Sequence, residues 1–246
     1  MDYTRYLELP ALLALQHPQS QPEHPDELLF IVVHQASELW FKVLLHEMER
    51  LDAAMVADDA ELAGAIVTRI NVLMRIVSQQ LAALDTLPPQ RFMQFRGYLG
   101  SSSGSQSEQF RALEARSGVR DEHFLQVLRE HGEIPAIVQT ALGAPTMESL
   151  FLGMVARAGL TLEALYLEHE HSPLTRLAEG LLEYEQQFGQ WRFLHVQLVE
   201  RIIGPRTGGT GGTLGAKYLS RTITQRKFFP ALWDVRATMY KGSGTS

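Results

Sequence analysis

Leu177, Leu181, Tyr184, Phe188, Trp191, His195, Leu198 and Ile202 follow one another at spacings of four and three, so their side chains share one face of a helix. His195 is the only imidazole on that face and points toward a core. A neutral imidazole in a dry apolar pocket is a good axial ligand for haem iron. The plainer reading is a core histidine with one ring nitrogen bonded to a carbonyl. Gly204-Pro205 stops the helix, and "TGGTGG" follows over 207–212. Glycine backbone of that kind can approach a large planar ligand where a side chain would collide. As a phosphate cradle the run is weak, because it lacks a Gly-Lys-Ser/Thr ending and follows a helix where that motif follows a strand.

Two further groups have types and spacings that suit chemistry. Phe30 and His34 are four residues apart, and Ser37 and Phe41 continue their face, which puts a second histidine inside an apolar helix. Such a residue either hydrogen-bonds a substrate or bound oxygen, or is a satisfied core histidine. Arg96 follows Phe92 and Phe95 and precedes a small-residue loop. A guanidinium flanked by aromatic bulk can grip a carboxylate bidentately, although a lone arginine more often bridges helix ends. The remaining histidines, including the pair in "HEH" at 169–171, sit in polar surroundings and read as solvated.

The elements that must position these groups are helical. The spacing predicts a long helix from Asp26, which can cap it, to about Val56, apolar around nearly its whole circumference and therefore central and buried. A second helix is predicted from about Ala60 to Leu84, ended by the prolines of "TLPPQRF". Shorter helices are predicted over about 107–115, 122–131, 134–141 and 146–169, the last broken by "HSP", and the helix of the ladder follows. Alternating strand-like runs are scarce, so the fold class is all-α in one domain over 1–246. Its parts are an N-terminal segment (1–25), a helical core (26–236) and a flexible tail (237–246).

Composition narrows the chemistry further. The chain has 246 residues, 45% of them hydrophobic, and a net charge of −6, so it can bury one substantial core and offers no phosphate footprint for nucleic acid. No cysteine is present, which removes thiolate nucleophiles, Cys-ligated metal sites and covalent haem attachment. Any metal falls to His, carboxylate, Tyr or Met. No leader segment is visible and no unbroken apolar run approaches a bilayer span, so no membrane association and a cytoplasmic location are expected.

"DELLFIVVHQASELWFKVLLHE", "FMQFRGYLGSSSGSQSEQFR", "QWRFLH", "GTGG" and "KFFPALWDVR" together resemble the tryptophan 2,3-dioxygenase family of haem enzymes, in order from Tyr3 to Arg236. The resemblance implies a helical bundle enclosing a b-type haem, in an intertwined homotetramer, with O2 as co-substrate and an indole amino acid as substrate. It makes His195 the proximal haem ligand, with Trp191, Ser103 and Gly104 beside the haem. It makes His34 the distal histidine that meets the indole N–H. Arg96 then binds the amino-acid carboxylate, Phe30 and Phe92 line the indole pocket, and Thr210 closes over the ammonium and carboxylate. Tyr3, Tyr6 and Leu7 match a segment that enters a neighbouring subunit's active site.

The chain also departs from the family pattern. The region between Arg96 and His195 is short, and the glycine loop carries one extra residue. Leu81 stands where bacterial members often have a tryptophan, and Ser105 replaces a phenylalanine. These positions touch the haem rim and the loop over the substrate. They leave open a monooxygenase acting on tryptophan or β-methyltryptophan. From the histidine pair alone, a haem-based gas sensor also remains, although a sensor needs neither Arg96 nor Thr210.

Overall fold

The computed structural model describes residues 1–120, 125–126, 128–129, 132–204 and 227–242, and every regular element among them is helical. Two short helices, α1 (Tyr3–Tyr6) and α2 (Leu9–Leu12), lead into an irregular stretch tied down onto α3 (Glu27–Val56). Gln35 of α3 donates to the Leu15 carbonyl at 3.0 Å, and the Glu27 carboxylate accepts the backbone N–H groups of Gln19 and Ser20 at 2.7 and 3.0 Å. Asp26 occupies the N-cap position but makes no capping hydrogen bond; its carboxylate pairs with Arg91.

Asp59 caps α4 (Ala60–Leu84) by accepting from the Leu62 N–H at 3.0 Å. The prolines that end α4 also do something the sequence reading did not assign. Pro89 opens a further helix, α5 (Pro89–Arg96), at the position where the missing N–H costs nothing. Two 3-10 turns, Gly97–Leu99 and Gly104–Gln106, lead to α6 (Glu108–Arg116). The predicted helix over 122–131 falls mostly outside the described residues. After α7 (Ala136–Gly143), the helix expected over 146–169 is two, α8 (Met147–Arg157) and α9 (Leu162–Glu168). Gly159 takes the left-handed backbone at φ 72° that ends one, and Thr161 caps the next.

The ladder helix α10 (Pro173–Ile203) has Ser172 at its N-cap and Pro173 in its first turn, and it stops at Gly204 with φ 87°. It runs parallel to α4, since the contacts Asn71–Gly180, Arg75–Glu183 and Asp85–Arg201 advance together along both helices. Gly180 permits the close approach: a Cβ there would lie 2.5 Å from Val67 Cγ1, and Asn71 Nδ2 donates to the Gly180 carbonyl at 3.0 Å. The last helix, α11 (Pro230–Gly242), continues past Arg236 and is seated by Glu185 of α10. That buried carboxylate accepts the Phe228 and Phe229 N–H groups at 2.8 and 3.1 Å and the Trp233 indole N–H at 2.9 Å.

One expectation for α3 is corrected. Its inner face packs on α4 and buries Leu44, Met48 and Leu51, but Leu28, Val32, Leu39 and Val43 form a second apolar row that stays exposed. The helix is therefore half-covered, with an apolar outer face. A window of it reaches a mean hydropathy of 1.5, long and apolar enough by composition to span a bilayer, contrary to the sequence reading. The carboxylate of its buried Glu47, paired with Arg50 at 2.8 Å and Arg69 at 3.1 Å, belongs to a bundle helix.

Candidate active site

The helical period of α3 and the proline-started turn of α5 bring three of the candidate side chains together. The Phe30 and His34 rings are 4.2 Å apart between centroids, and Phe30 lies 5.6 Å from Phe92 and 5.8 Å from Phe95. Phe92 and Phe95 are buried and meet edge to face at 5.3 Å. Arg96 ends α5 one turn after Phe92 and is half-buried.

His34 is not the core histidine its sequence suggested: its ring is open to solvent. Protein atoms nevertheless crowd the hollow it stands in, and the resulting loss of hydration pushes its pKa below the usual imidazole range, against opposing pulls from the Phe30 carbonyl and Glu38. The ring nitrogen Nδ1 lies 2.7 Å from the Phe30 carbonyl oxygen. A carbonyl can only accept, so Nδ1 carries the proton and Nε2 presents a lone pair. At neutral pH His34 is thus an acceptor aimed away from its own helix.

His195 has the opposite setting. Burial holds its pKa down at about 4, and the nearby His34 adds to the effect. Trp191, one turn earlier, stacks on the imidazole at 5.0 Å and 28° between planes, and is itself enclosed by Phe110 at 4.6 Å and Phe41 at 6.2 Å. The buried Nδ1 has no hydrogen-bond partner. Buried polar nitrogens are nearly always paired, so this Nδ1 is an exception for a histidine kept for packing alone. The imidazole is neutral and its Nδ1 is uncommitted, a donor chemistry that fits haem iron. Among the described residues no cluster of three or more His, Cys, Asp or Glu side chains offers an alternative metal cage.

The other candidates are placed less closely. Ser103 is half-buried at the loop after α5, with its N–H donating to Gln106 Oε1 at 3.1 Å, and an added Cβ at Gly104 would meet nothing within 4 Å. Both lie in the small-residue stretch between Arg96 and α6. Leu81 is buried on α4. Tyr3, Tyr6 and Leu7 are exposed at 73%, 72% and 40%, and the fold of one chain does not bury them. Thr210 and the glycine run lie outside the described residues.

Sequence reasoning missed the carbonyl that sets the His34 tautomer, which follows from the i, i+4 spacing of Phe30 and His34 once the helix is known. It also missed the buried pair of salt bridges behind Trp191, where Glu114 holds Arg111 at 2.6 Å and Arg192 at 2.7 Å. No periodic signal marks that triad, because its members come from α6 and α10.

Comparison with known proteins bears on the same residues. The family model for tryptophan 2,3-dioxygenase matches residues 1–141 and 147–239. A tryptophan 2,3-dioxygenase of Kineococcus radiotolerans is 40% identical, covering 96% of this chain and 90% of the relative. One from a Nocardioides species is 38% identical over 97% and 95%, and one from Bacillus anthracis is 36% identical over 97% and 93%. The chain belongs to the tryptophan 2,3-dioxygenase family and is an enzyme of that type.

Proposed function

We propose that this enzyme oxidises the indole C2–C3 bond of L-tryptophan or a close analogue with O2, giving N-formylkynurenine, and that it does so with a b-type haem held by His195. The observation that carries the reading is the neutral imidazole of half-buried His195, stacked on Trp191 with its buried Nδ1 left without a hydrogen bond. A haem held by His195 would supply the centre that binds and activates O2. Trp191, with Ser103 and Gly104, borders it.

The chain's own residues bind and orient the substrate. His34 Nε2 accepts the indole N–H, because Nδ1 is already spent on the Phe30 carbonyl. Phe30 and Phe92, in contact with each other at 5.6 Å between centroids, line one wall of the indole pocket and exclude water there. Arg96 grips the carboxylate at the other end of the substrate, and Thr210 closes over the ammonium and carboxylate. Fixing both ends of the molecule aligns C2–C3, and such orientation supplies much of the rate in a reaction of this kind. The exposed Tyr3, Tyr6 and Leu7 complete the indole pocket of a neighbouring subunit in a homotetramer, which gives these apolar surfaces a place to be buried.

The test is turnover of L-tryptophan under ¹⁸O2 with product mass as the readout. Incorporation of two labelled oxygens into one ring-opened product is expected. A product carrying one labelled oxygen, or no product from any indole amino acid, overturns the reading.

A further inference from the structure

The irregular chain that leads into α3 is closed on itself beside the candidate site. Glu27, the first residue of α3, is only 1% exposed, and its carboxylate accepts the Gln19 and Ser20 backbone N–H groups at 2.7 and 3.0 Å. Ser20 is buried as well, and its Oγ accepts the His24 N–H at 2.8 Å. Burial by itself raises the Glu27 pKa, but the donors of Gln19 and Ser20 outweigh it and hold the carboxyl below its usual range. The side chain is therefore an anion that closes residues 19–27 into a loop.

The outer edge of that loop grips α5. Just past the end of α5, the Tyr98 hydroxyl donates to the Gln21 carbonyl at 2.8 Å. His24 Nε2 lies 2.9 Å from Gln94 Oε1, and His24 Nδ1 accepts the Asp26 N–H at 3.2 Å, so both ring nitrogens are engaged with the proton on Nε2. The His24 ring also meets Phe95 at 5.1 Å, and Asp26 pairs with Arg91. The backbones of α3 and α5 barely approach one another. Their spacing falls to this loop and to the contacts of Phe30 with Phe92 and Phe95.

We propose that Glu27 is a positioning residue of the substrate pocket, fixing through the 19–27 loop the separation between His34 on α3 and Arg96 at the end of α5. The inference rests on the proposed function, in which one amino acid reaches both side chains at once. A separation fixed in advance spares the substrate the cost of ordering the pocket wall, and a misplacement of about 1 Å at one end can cost about a hundredfold in rate. None of these ties involves α10, so the His195 side is left as it is.

The test measures ligand binding to the ferric holoenzyme, by equilibrium dialysis for L-tryptophan and indole and by spectral titration for cyanide. Glu27→Gln keeps the size of the side chain but sets an NH2 group against one of the two backbone N–H donors. Its Kd for L-tryptophan should rise about tenfold or more, as for the loss of a hydrogen bond to a charged group, with haem content and cyanide affinity as in wild type. Tyr98→Phe removes one hydroxyl from a side chain that is 47% exposed, and should raise the same Kd about threefold. The two substitutions together should raise it by less than the product of their separate effects, because both act through one loop. Indole, which has no carboxylate for Arg96, should bind every variant as it binds wild type. Unchanged L-tryptophan affinity in Tyr98→Phe or in folded Glu27→Gln, fully multiplicative effects in the double variant, or an equal loss for indole or cyanide overturns the positioning role and leaves the proposed reaction standing. A wild type that binds no L-tryptophan overturns both.

Discussion

His195 on α10 and His34 on α3 are the same residue type at the same helical spacing among aromatic neighbours, yet the fold treats them in opposite ways. The first is half-buried with its Nδ1 shut off from solvent, stacked on Trp191, held neutral with a pKa of about 4, and left without a partner at that nitrogen. The second is open to solvent and has Nδ1 tied to its own helix at 2.7 Å, so only Nε2 is free to act. A committed Nδ1 makes a histidine a one-directional acceptor; an uncommitted one leaves the ring's bonding open, as the proposed haem-ligand role requires. The difference comes from the neighbours of each ring: beside His195, Trp191 is walled by Phe41 and Phe110, whereas His34 stands on an exposed arc of α3 beside Phe30.

The strongest way to sharpen the contrast on the open side is Arg96→Ala. Truncating one partner of a buried carboxylate pair costs about 2–5 kcal/mol, so the apparent KM for tryptophan should rise by at least about thirtyfold with haem content unchanged. Steady-state kinetics beside pyridine-haemochrome quantitation checks this. An unmoved KM means that the carboxylate is gripped elsewhere.

A smaller effect is expected at His34 itself. His34→Ala removes one neutral hydrogen bond, about 0.5–1.5 kcal/mol, and should lower turnover by a factor of roughly two to ten while leaving haem bound. Complete loss of turnover with substrate still bound would assign His34 an obligatory proton-accepting role. The pH profile follows from the same geometry. Crowding lowers the His34 pKa below the ordinary 6.5, so the accepting lone pair persists through neutral pH and is lost only as pH falls through that lowered value. The acid limb of kcat/KM should therefore lie below 6.5 in wild type and vanish in His34→Ala. A limb at or above 6.5, or one that survives the substitution, contradicts the assigned tautomer and role.

The smallest effect concerns the closed side. Gly180→Ala drives a Cβ into Val67, and overpacking of about 1–3 kcal/mol is offset by up to about 1 kcal/mol of helix propensity. A net loss near 1 kcal/mol should lower Tm by a few degrees, and Val67→Ala in the same chain should recover part of it. A Tm above wild type would mean that α10 is not held against α4 as described.

How much of this was legible in the sequence differs between the same two regions. The ladder of α10 was readable from residue spacing, because one face is apolar throughout and Ser172-Pro173 and Gly204 mark its ends. α3 was readable as a helix with nearly the observed bounds, but its all-round apolar pattern cannot say which arc a partner covers; the outward row of Leu28, Val32, Leu39 and Val43 is decided by where α4 sits. The same ignorance of tertiary packing made His34 look buried. Pro88-Pro89 reads from the sequence as a stop, although a proline in the first turn starts a helix as readily, and α5 with Phe92 and Arg96 depends on that second role. Gly159 and Thr161 carried the stop and start signals that split α8 from α9.

His195, and not His34, is the proposed haem ligand, and chemical rescue tests this most directly. Glycine is placed at each position in turn, and haem content is measured with and without added imidazole. His195→Gly should lose most of its haem and regain it when imidazole fills the vacated wall, whereas His34→Gly should keep its haem with or without imidazole. Wild-type haem in His195→Gly, or loss and rescue at His34 instead, would contradict the account.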